Sequence, residues 1–283
     1  MPFLPFIQRV SQRSWRCVSF VLVLTLLSGC PNSFGEFANK TSDEALLFQS
    51  QLYADTRDWD NAITTIGRMT TAGKADRTAK YLLSSYYAGR CGLDLLELAD
   101  ALGNLGTTQL YPFLLSTYAA NTATDLADCQ SAETTLLSIS PTYASLTPDE
   151  NVLLALVEFA KIGSLLAANT LVDAANDGTY DGDVVSGGSS LDPCDSTHIT
   201  DLEIGKLGTG LIIAVNALSA SGSAISASMG SAGSLTSAYG DEQDPTAFSA
   251  LEIKGLRGFI KSNEVGFNSC GGDASSGVSC LCP

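Results

Sequence analysis

Three times in this chain a threonine is followed, three residues on, by a glutamate, and each pair heads an apolar run. Thr41-Ser-Asp-Glu44 precedes Ala-Leu-Leu-Phe, Thr147-Pro-Asp-Glu150 precedes Asn-Val-Leu-Leu-Ala-Leu, and Thr200-Asp-Leu-Glu203 opens the run toward Leu211-Ile-Ile. The first N–H groups of a helix have no partner within it. A threonine oxygen accepts from one, and the glutamate reaches back to another. Pro148 follows its cap directly, where its missing N–H costs nothing. Asp244-Pro245 predicts a further start of this kind, ahead of Phe248, Leu251, Ile253, Leu256 and Phe259-Ile260. Inside these segments apolar residues return at three and four: Val152, Ala155, Leu156, Phe159, Ile162 and Leu165-Leu166 mark a broad buried face. Alternating Val/Ile/Thr runs bounded by hairpin dipeptides are missing from the sequence. The chain therefore reads as all-α.

The amino-terminal end carries a different signal. Arg9, Arg13 and Arg16 precede a short apolar segment, Cys17 to Leu27, and then Leu27-Ser28-Gly29-Cys30. The segment falls short of the roughly 20 apolar residues that span a bilayer as a helix, but it suits the core of a secretory signal. The order of basic, apolar and small residues ending in cysteine resembles a bacterial lipoprotein signal with its lipobox. The resemblance implies cleavage before Cys30 and lipidation of its thiol and new amino group, giving a membrane anchor that more than one acyl chain makes stable. Pro31 stands where, in the Gram-negative pattern, an aspartate favours inner-membrane retention. The implied address is the outer membrane, on its periplasmic side. Residues 1–29 are then the signal and 30–40 a lipidated tether, rich in Asn, Ser, Gly and Pro and without a sustained period.

Loss of the signal removes three arginines and no acids, taking the formal charge from −15 to −18. So negative a chain disfavours nucleic acid and anionic headgroups as partners. Of the eight cysteines, Cys17 leaves with the signal and Cys30 carries lipid. Cys91, Cys129, Cys194, Cys270, Cys280 and Cys282 remain, an even set that in an exported chain reads as disulfides. Our expected pairing joins Cys91 to Cys129, Cys270 to one of Cys280 and Cys282, and Cys194 to the other. Cys194 and His198 are four apart, but His198 is the chain's one histidine and no CxxC accompanies it, which argues against a cysteine-bound metal.

An internal repeat appears when Ala45–Asp60 (ALLFQSQLYADTRDWD) is laid over Ala79–Asp94 (AKYLLSSYYAGRCGLD). At this offset of 34, Ala45 matches Ala79, Ser50 matches Ser84, Tyr53-Ala54 matches Tyr87-Ala88, and Asp60 matches Asp94. The period and the small/aromatic positions resemble the tetratricopeptide repeat, in which a small residue sits where two antiparallel helices cross. Ser50 stands at the small position, Tyr53 at the aromatic, and Arg57-Asp58-Trp59-Asp60-Asn61-Ala62-Ile63 at the turn and the close-packing alanine; Ile66 fills the later apolar position. Leu46, Gln49 and Met69 depart from the family pattern, and in the second copy Leu96 replaces the key alanine. The resemblance implies antiparallel helix pairs stacked as a solenoid, since one pair cannot bury its own apolar face. It covers residues within 41–140, a region that also holds helices around Leu114-Leu115, Leu126 and Leu136-Leu137. Tyr53, Tyr87 and Trp59 are expected as core, with Asp55, Arg57, Asp58 and Arg90 near turns.

Beyond Pro141 charge thins and small residues rise, so 141–262 forms a second helical region. Leu207–Gly240 is free of charge and rich in Ser, Gly and Ala, which suits close helix packing better than a lipid span. An Asp/Gly-rich loop at 173–195 interrupts this region. Within it Asp177, Thr179, Asp181 and Asp183 alternate, and the spacing resembles the front half of an EF-hand-type loop, which implies a structural calcium ion. Gly188 stands where the closing glutamate belongs, and Asp192 or Asp195 is placed to close the site instead. The competing reading is an acidic surface loop. Residues 263–283 form a cysteine-rich tail.

Catalytic motifs are missing: there is no HExxH, SxxK or GxSxG, and Gly67–Lys74 has one residue too many for a phosphate loop. The sequence leads us to expect a non-enzyme without a resident cofactor beyond that calcium, a lipid-anchored helical-repeat scaffold for a protein or peptide partner. The rival expectation is an accessory lipoprotein of a transport system that carries or presents a small ligand. An apolar tunnel through the helices would favour this rival, and a filled core would count against it.

Overall fold

A computed structural model of the chain describes residues 40–103, 109–170, 191–222, 233–262, 266, 267 and 282. The described residues are all-helical, with no strand among them. In chain order the helices are α1 (Asp43–Asp55), α2 (Trp59–Gly67), α3 (Thr71–Ala75), α4 (Arg77–Arg90), α5 (Leu95–Gly103), α6 (Leu110–Thr117), α7 (Ala123–Leu137), α8 (Pro148–Asn169), α9 (Asp201–Ser221), α10 (Gly233–Tyr239) and α11 (Ala250–Lys261). A single 3-10 turn, Tyr143–Ser145, leads into α8.

The capping chemistry sets most of these starts. Thr147 with Glu150 and Thr200 with Glu203 form the two-way boxes expected, heading α8 and α9. At α1 the expected box shifts by one residue: the helix begins at Asp43, and Ser42 Oγ accepts from the Ala45 N–H. The last helix also needs correcting. It does not start at Asp244-Pro245, because Asp244 turns its carboxylate onto the N–H and hydroxyl of Thr246 (2.8 and 2.6 Å). Ser249 and Glu252 form the box instead, and α11 starts at Ala250. Phe248 stays outside the helix and packs edge-on against Tyr239. A further box, Thr122 with Asp125, heads α7.

From Leu46 onward the chain is one compact unit. Its main core forms around α8, in which every residue from Leu153 to Ala167 is buried. A helix buried on all sides is a central helix, so the periodic face read from the sequence is only part of its contact surface. The helices α6, α7 and α9 pack around α8, and glycine sets how closely. A side chain at Gly163 of α8 would come within 2.6 Å of the Leu114 carbonyl oxygen and strike the Tyr118 ring. On α9, a Cβ at Gly205 would run into the Pro245 carbonyl, and one at Gly208 would press on Leu256.

The repeat region has its own smaller core of Leu46, Ala62, Ile66, Met69, Ala79 and Tyr86. The two matched serines lie in the close crossings: Ser84 donates to the Ala132 carbonyl (2.8 Å), and Ser50 bonds the Tyr86 hydroxyl (3.1 Å). Helix α4 packs against α2 and against α7, an arrangement compatible with stacked helix pairs. The second copy departs from the first where the sequence does: Leu96, at the alanine position, is 84% exposed.

By length and composition α8 and α9 could each cross a membrane, but 89% and 72% of their apolar windows are buried inside the protein. Core helices pass the same test.

Candidate functional site

From Val152 to Gly163 helix α8 is apolar except where Glu158 and Lys161 face one another across less than a turn. Both are buried, and Glu158 is fully so. Lys161 Nζ lies 2.5 Å from Glu158 Oε2 and 2.7 Å from Glu133 Oε2 of α7. The contact with Glu158 is an ion pair by distance but poorly aligned. Among the described residues neither Glu158 oxygen has a well-directed hydrogen bond. Room for this carboxylate comes from α9, where a Cβ on Gly210 would stand 3.1 Å from Glu158 Oε2.

Two carboxylates around one ammonium leave a negative charge over, and low dielectric makes that costly. Burial, reinforced by the Glu133 charge, therefore holds the Glu158 carboxyl well above its ordinary pKa. Burial alone would lower Lys161, but the facing carboxylates outweigh it and raise the group. Tyr143 stands close by and accepts from Gln243 Nε2 (3.0 Å); burial pushes its phenol up to about 12.

The cluster opens onto a cavity of about 300 Å³ between α7, α8 and α9. Lys161 and Glu133 line it, with Lys206 and Thr209 of α9, Gln130 and Thr134 of α7, and Gln243. Leu126, Leu165 and Pro245 supply its apolar wall. The volume sits at the lower end of the range for small-ligand sites.

A second recess of about 400 Å³ is a more open groove in the repeat region, bounded by Ala54, Asp55, Arg57, Trp59, Gly89 and Leu93–Leu96. Trp59 forms its wall by lying flat on Gly89, where a Cβ would stand 2.6 Å from the indole, and by stacking on Tyr86 (6.5 Å). Arg57 holds a left-handed backbone (φ 59°) at the turn and reaches Asp94 across the groove (3.3 Å). Leu95 and Leu96 are exposed at its rim.

Other residues singled out in the sequence fall as follows. Trp59, Tyr53 and Tyr87 are half-buried, and the buried aromatic of the small repeat core is Tyr86. Asp58 caps α2 through the Asn61 N–H. Arg90 is a clasp: it holds Asp128 of α7 with two bonds (2.7 and 2.6 Å) and Asp60 of α2 with a third (2.6 Å). Two cysteine pairs stand at disulfide distance, Cys91 with Cys129 (Cα–Cα 5.3 Å) and Cys194 with Cys282 (5.2 Å). The first is the pairing expected, and the second is one of the two left open for Cys194. Cys270 and Cys280 lie outside the described residues, as do Cys30 and the calcium-loop candidates Asp177, Thr179, Asp181 and Asp183. Asp192 and Asp195 are described and engaged locally. Asp192 accepts from the Cys194 N–H (3.0 Å), and Asp195 from the N–H and hydroxyl of Thr197 (2.8 and 2.7 Å). Among the described residues no three His, Cys, Asp or Glu are grouped to hold a metal ion.

The Glu133–Lys161–Glu158 cluster escaped the sequence reading, although one signal was present. A Glu and a Lys three apart inside the otherwise apolar stretch Val152–Gly163 must bury charge if that helix is central. Glu133, from another helix, has no sequence signature at all. Searches against family models, curated proteins and solved structures returned no match to this chain.

Proposed function

We propose that this chain is a lipid-anchored, extracytoplasmic, non-enzymatic helical scaffold. It is held to the outer membrane through Cys30, on the periplasmic side, and offers its repeat region to a protein or peptide partner. The supporting observation is the groove beside Trp59. Its rim carries two exposed leucines next to the Arg57–Asp94 pair, and apolar side chains ringed by polar ones are what a protein partner can bury. A photo-crosslinker placed at Leu96 in intact cells should capture one recurring protein. The same label at Leu251, exposed on α11 far along the chain, should not capture it. No recurring species at Leu96 rejects the groove as the docking face. The anchor is tested separately, since Cys30→Ser should abolish lipid-dependent membrane fractionation. Unchanged fractionation rejects the lipoprotein reading, and with it the oxidised state proposed for the paired cysteines. The calcium reading of Asp177, Thr179, Asp181 and Asp183 requires that a chelator lower the thermal midpoint.

A second reading, an accessory lipoprotein of a transport system that carries a small ligand, is favoured by a specific feature. The cavity beside Lys161 is partly polar and of ligand size.

A further inference from the structure

In the cavity between α7, α8 and α9, charges of both signs line one small space without cancelling. Glu133 comes from α7 and is bound through Oε2 to Lys161. Lys206 comes from α9, is half-buried, and forms no ion pair with any described residue. The two stand in one cavity of about 300 Å³ and still do not bridge to each other. The single buried ammonium of Lys161 contacts both Glu158 and Glu133 behind the cavity wall. An ammonium entering the cavity would face Glu133, whose contact with Lys161 uses Oε2. A negative group in the same space would face Lys206. Leu126, Leu165 and Pro245 form an apolar wall suited to a short hydrocarbon side chain.

We propose that this cavity binds a small zwitterion of the α-amino-acid type, with its ammonium received by Glu133 and its carboxylate by Lys206. The assignment gives a chemical class to the small-ligand reading and rests on it. It is independent of the groove beside Trp59. Charge-assisted hydrogen bonds at both poles make the site selective for molecules that carry both charges. A neutral or singly charged analogue forgoes one of these two contacts.

Calorimetric titration of the intact chain with leucine, N-acetyl-leucine and leucinamide tests this. Leucine should bind, and each blocked analogue should bind at least about tenfold more weakly, the loss expected for one charged hydrogen bond. Lys206→Glu should invert the preference, so that leucinamide, a cation, binds better than leucine. Lys206 is partly exposed, and its reversal leaves the Glu133–Lys161–Glu158 cluster in place, so an unchanged thermal midpoint serves as the folding check. Glu133→Gln keeps a bond to Lys161 and should selectively weaken the analogues that bear an ammonium. Equal binding of leucine and either blocked analogue overturns the zwitterion assignment while leaving a small-ligand site standing. No binding by any of the three, or by a shorter series of glycine and its amide, overturns both. A preference unchanged in Lys206→Glu overturns the placement of the carboxylate.

Discussion

Tyr111 on α6 is fully buried, its ring stacked on Phe267 (centroids 6.4 Å apart), and its hydroxyl has no partner among the described residues. Burial drives its pKa upward. An unbonded buried hydroxyl costs about 1–3 kcal/mol, so Tyr111→Phe should leave stability unchanged or raise it by about 1 kcal/mol in urea unfolding. A clear loss would mean the hydroxyl has a partner after all. Glu158 poses the same question for a charge. Its folded pKa is raised, so its contribution to stability is complete below the ordinary carboxylate range and is lost as pH rises through the folded value. Lys161, Glu133 and Tyr143 face it, and none of them reverses that direction. Glu158→Gln should therefore melt higher than the parent at pH 8, and the gap should close toward pH 4. A gap that widens on acidification would contradict the assignment. Little of this was visible in the sequence. Residue type marks Glu158 and Lys161 as odd inside an apolar helix, but nothing in their spacing supplies Glu133 or Gly210, which arrive from α7 and α9. Arg90 shows the same limit: near a turn in the sequence, it is a three-way clasp only because α2 and α7 bring up Asp60 and Asp128.

Helix identity was far more legible, since local chemistry writes it. Thr147 with Glu150 and Thr200 with Glu203 fix the starts of the two longest helices through bonds that close within four residues. Asp244-Pro245 misled because an Asx turn uses the same residues as a helix start, and here Asp244 accepts from the N–H and hydroxyl of Thr246. Crossing distances are legible only in part. Glycines in the second half signal close approach without saying which ones are pinned. Gly163 and Gly67 separate the cases. At Gly163 an added methyl meets a backbone carbonyl that cannot rotate away, whereas Gly67 at the end of α2 has nothing within 4 Å. Gly163→Ala should cost about 1–3 kcal/mol through forced separation of α6 and α8. Gly67→Ala should be neutral or add about 0.4–1 kcal/mol by restricting the unfolded chain. Similar midpoints for the two variants would remove glycine as the determinant of the α6–α8 spacing.

At the scale of the whole molecule, Cys91 and Cys129 tie α4 to α7 across 38 residues of sequence. They stand beside the Arg90 clasp, so two unrelated devices hold the repeat region to the central bundle. As an oxidised link, this pair should contribute about 2–4 kcal/mol. Reduction, or Cys91→Ala with Cys129→Ala, should lower the midpoint while leaving the helical far-ultraviolet signal intact at low temperature. An unchanged midpoint would show that the clasp alone is enough. The charged pair buried in α8 has a last consequence, which concerns how such a chain reaches its destination. A protein threaded unfolded through a secretion channel exposes each segment in turn to the lipid at the channel's side opening. Among the described residues α8 is the more apolar of the two helices long enough to span a bilayer, and so the one at greater risk of slipping out there and stalling. A charge near the middle of such a segment raises its cost of entering lipid by about 2.5–3.5 kcal/mol. On the export proposed above, Glu158 and Lys161 would be a burden on the finished fold and a safeguard in transit. Replacing both with leucine should strand the chain as an alkali-resistant integral membrane species, and ordinary export of that double variant would show that the pair serves the folded state alone.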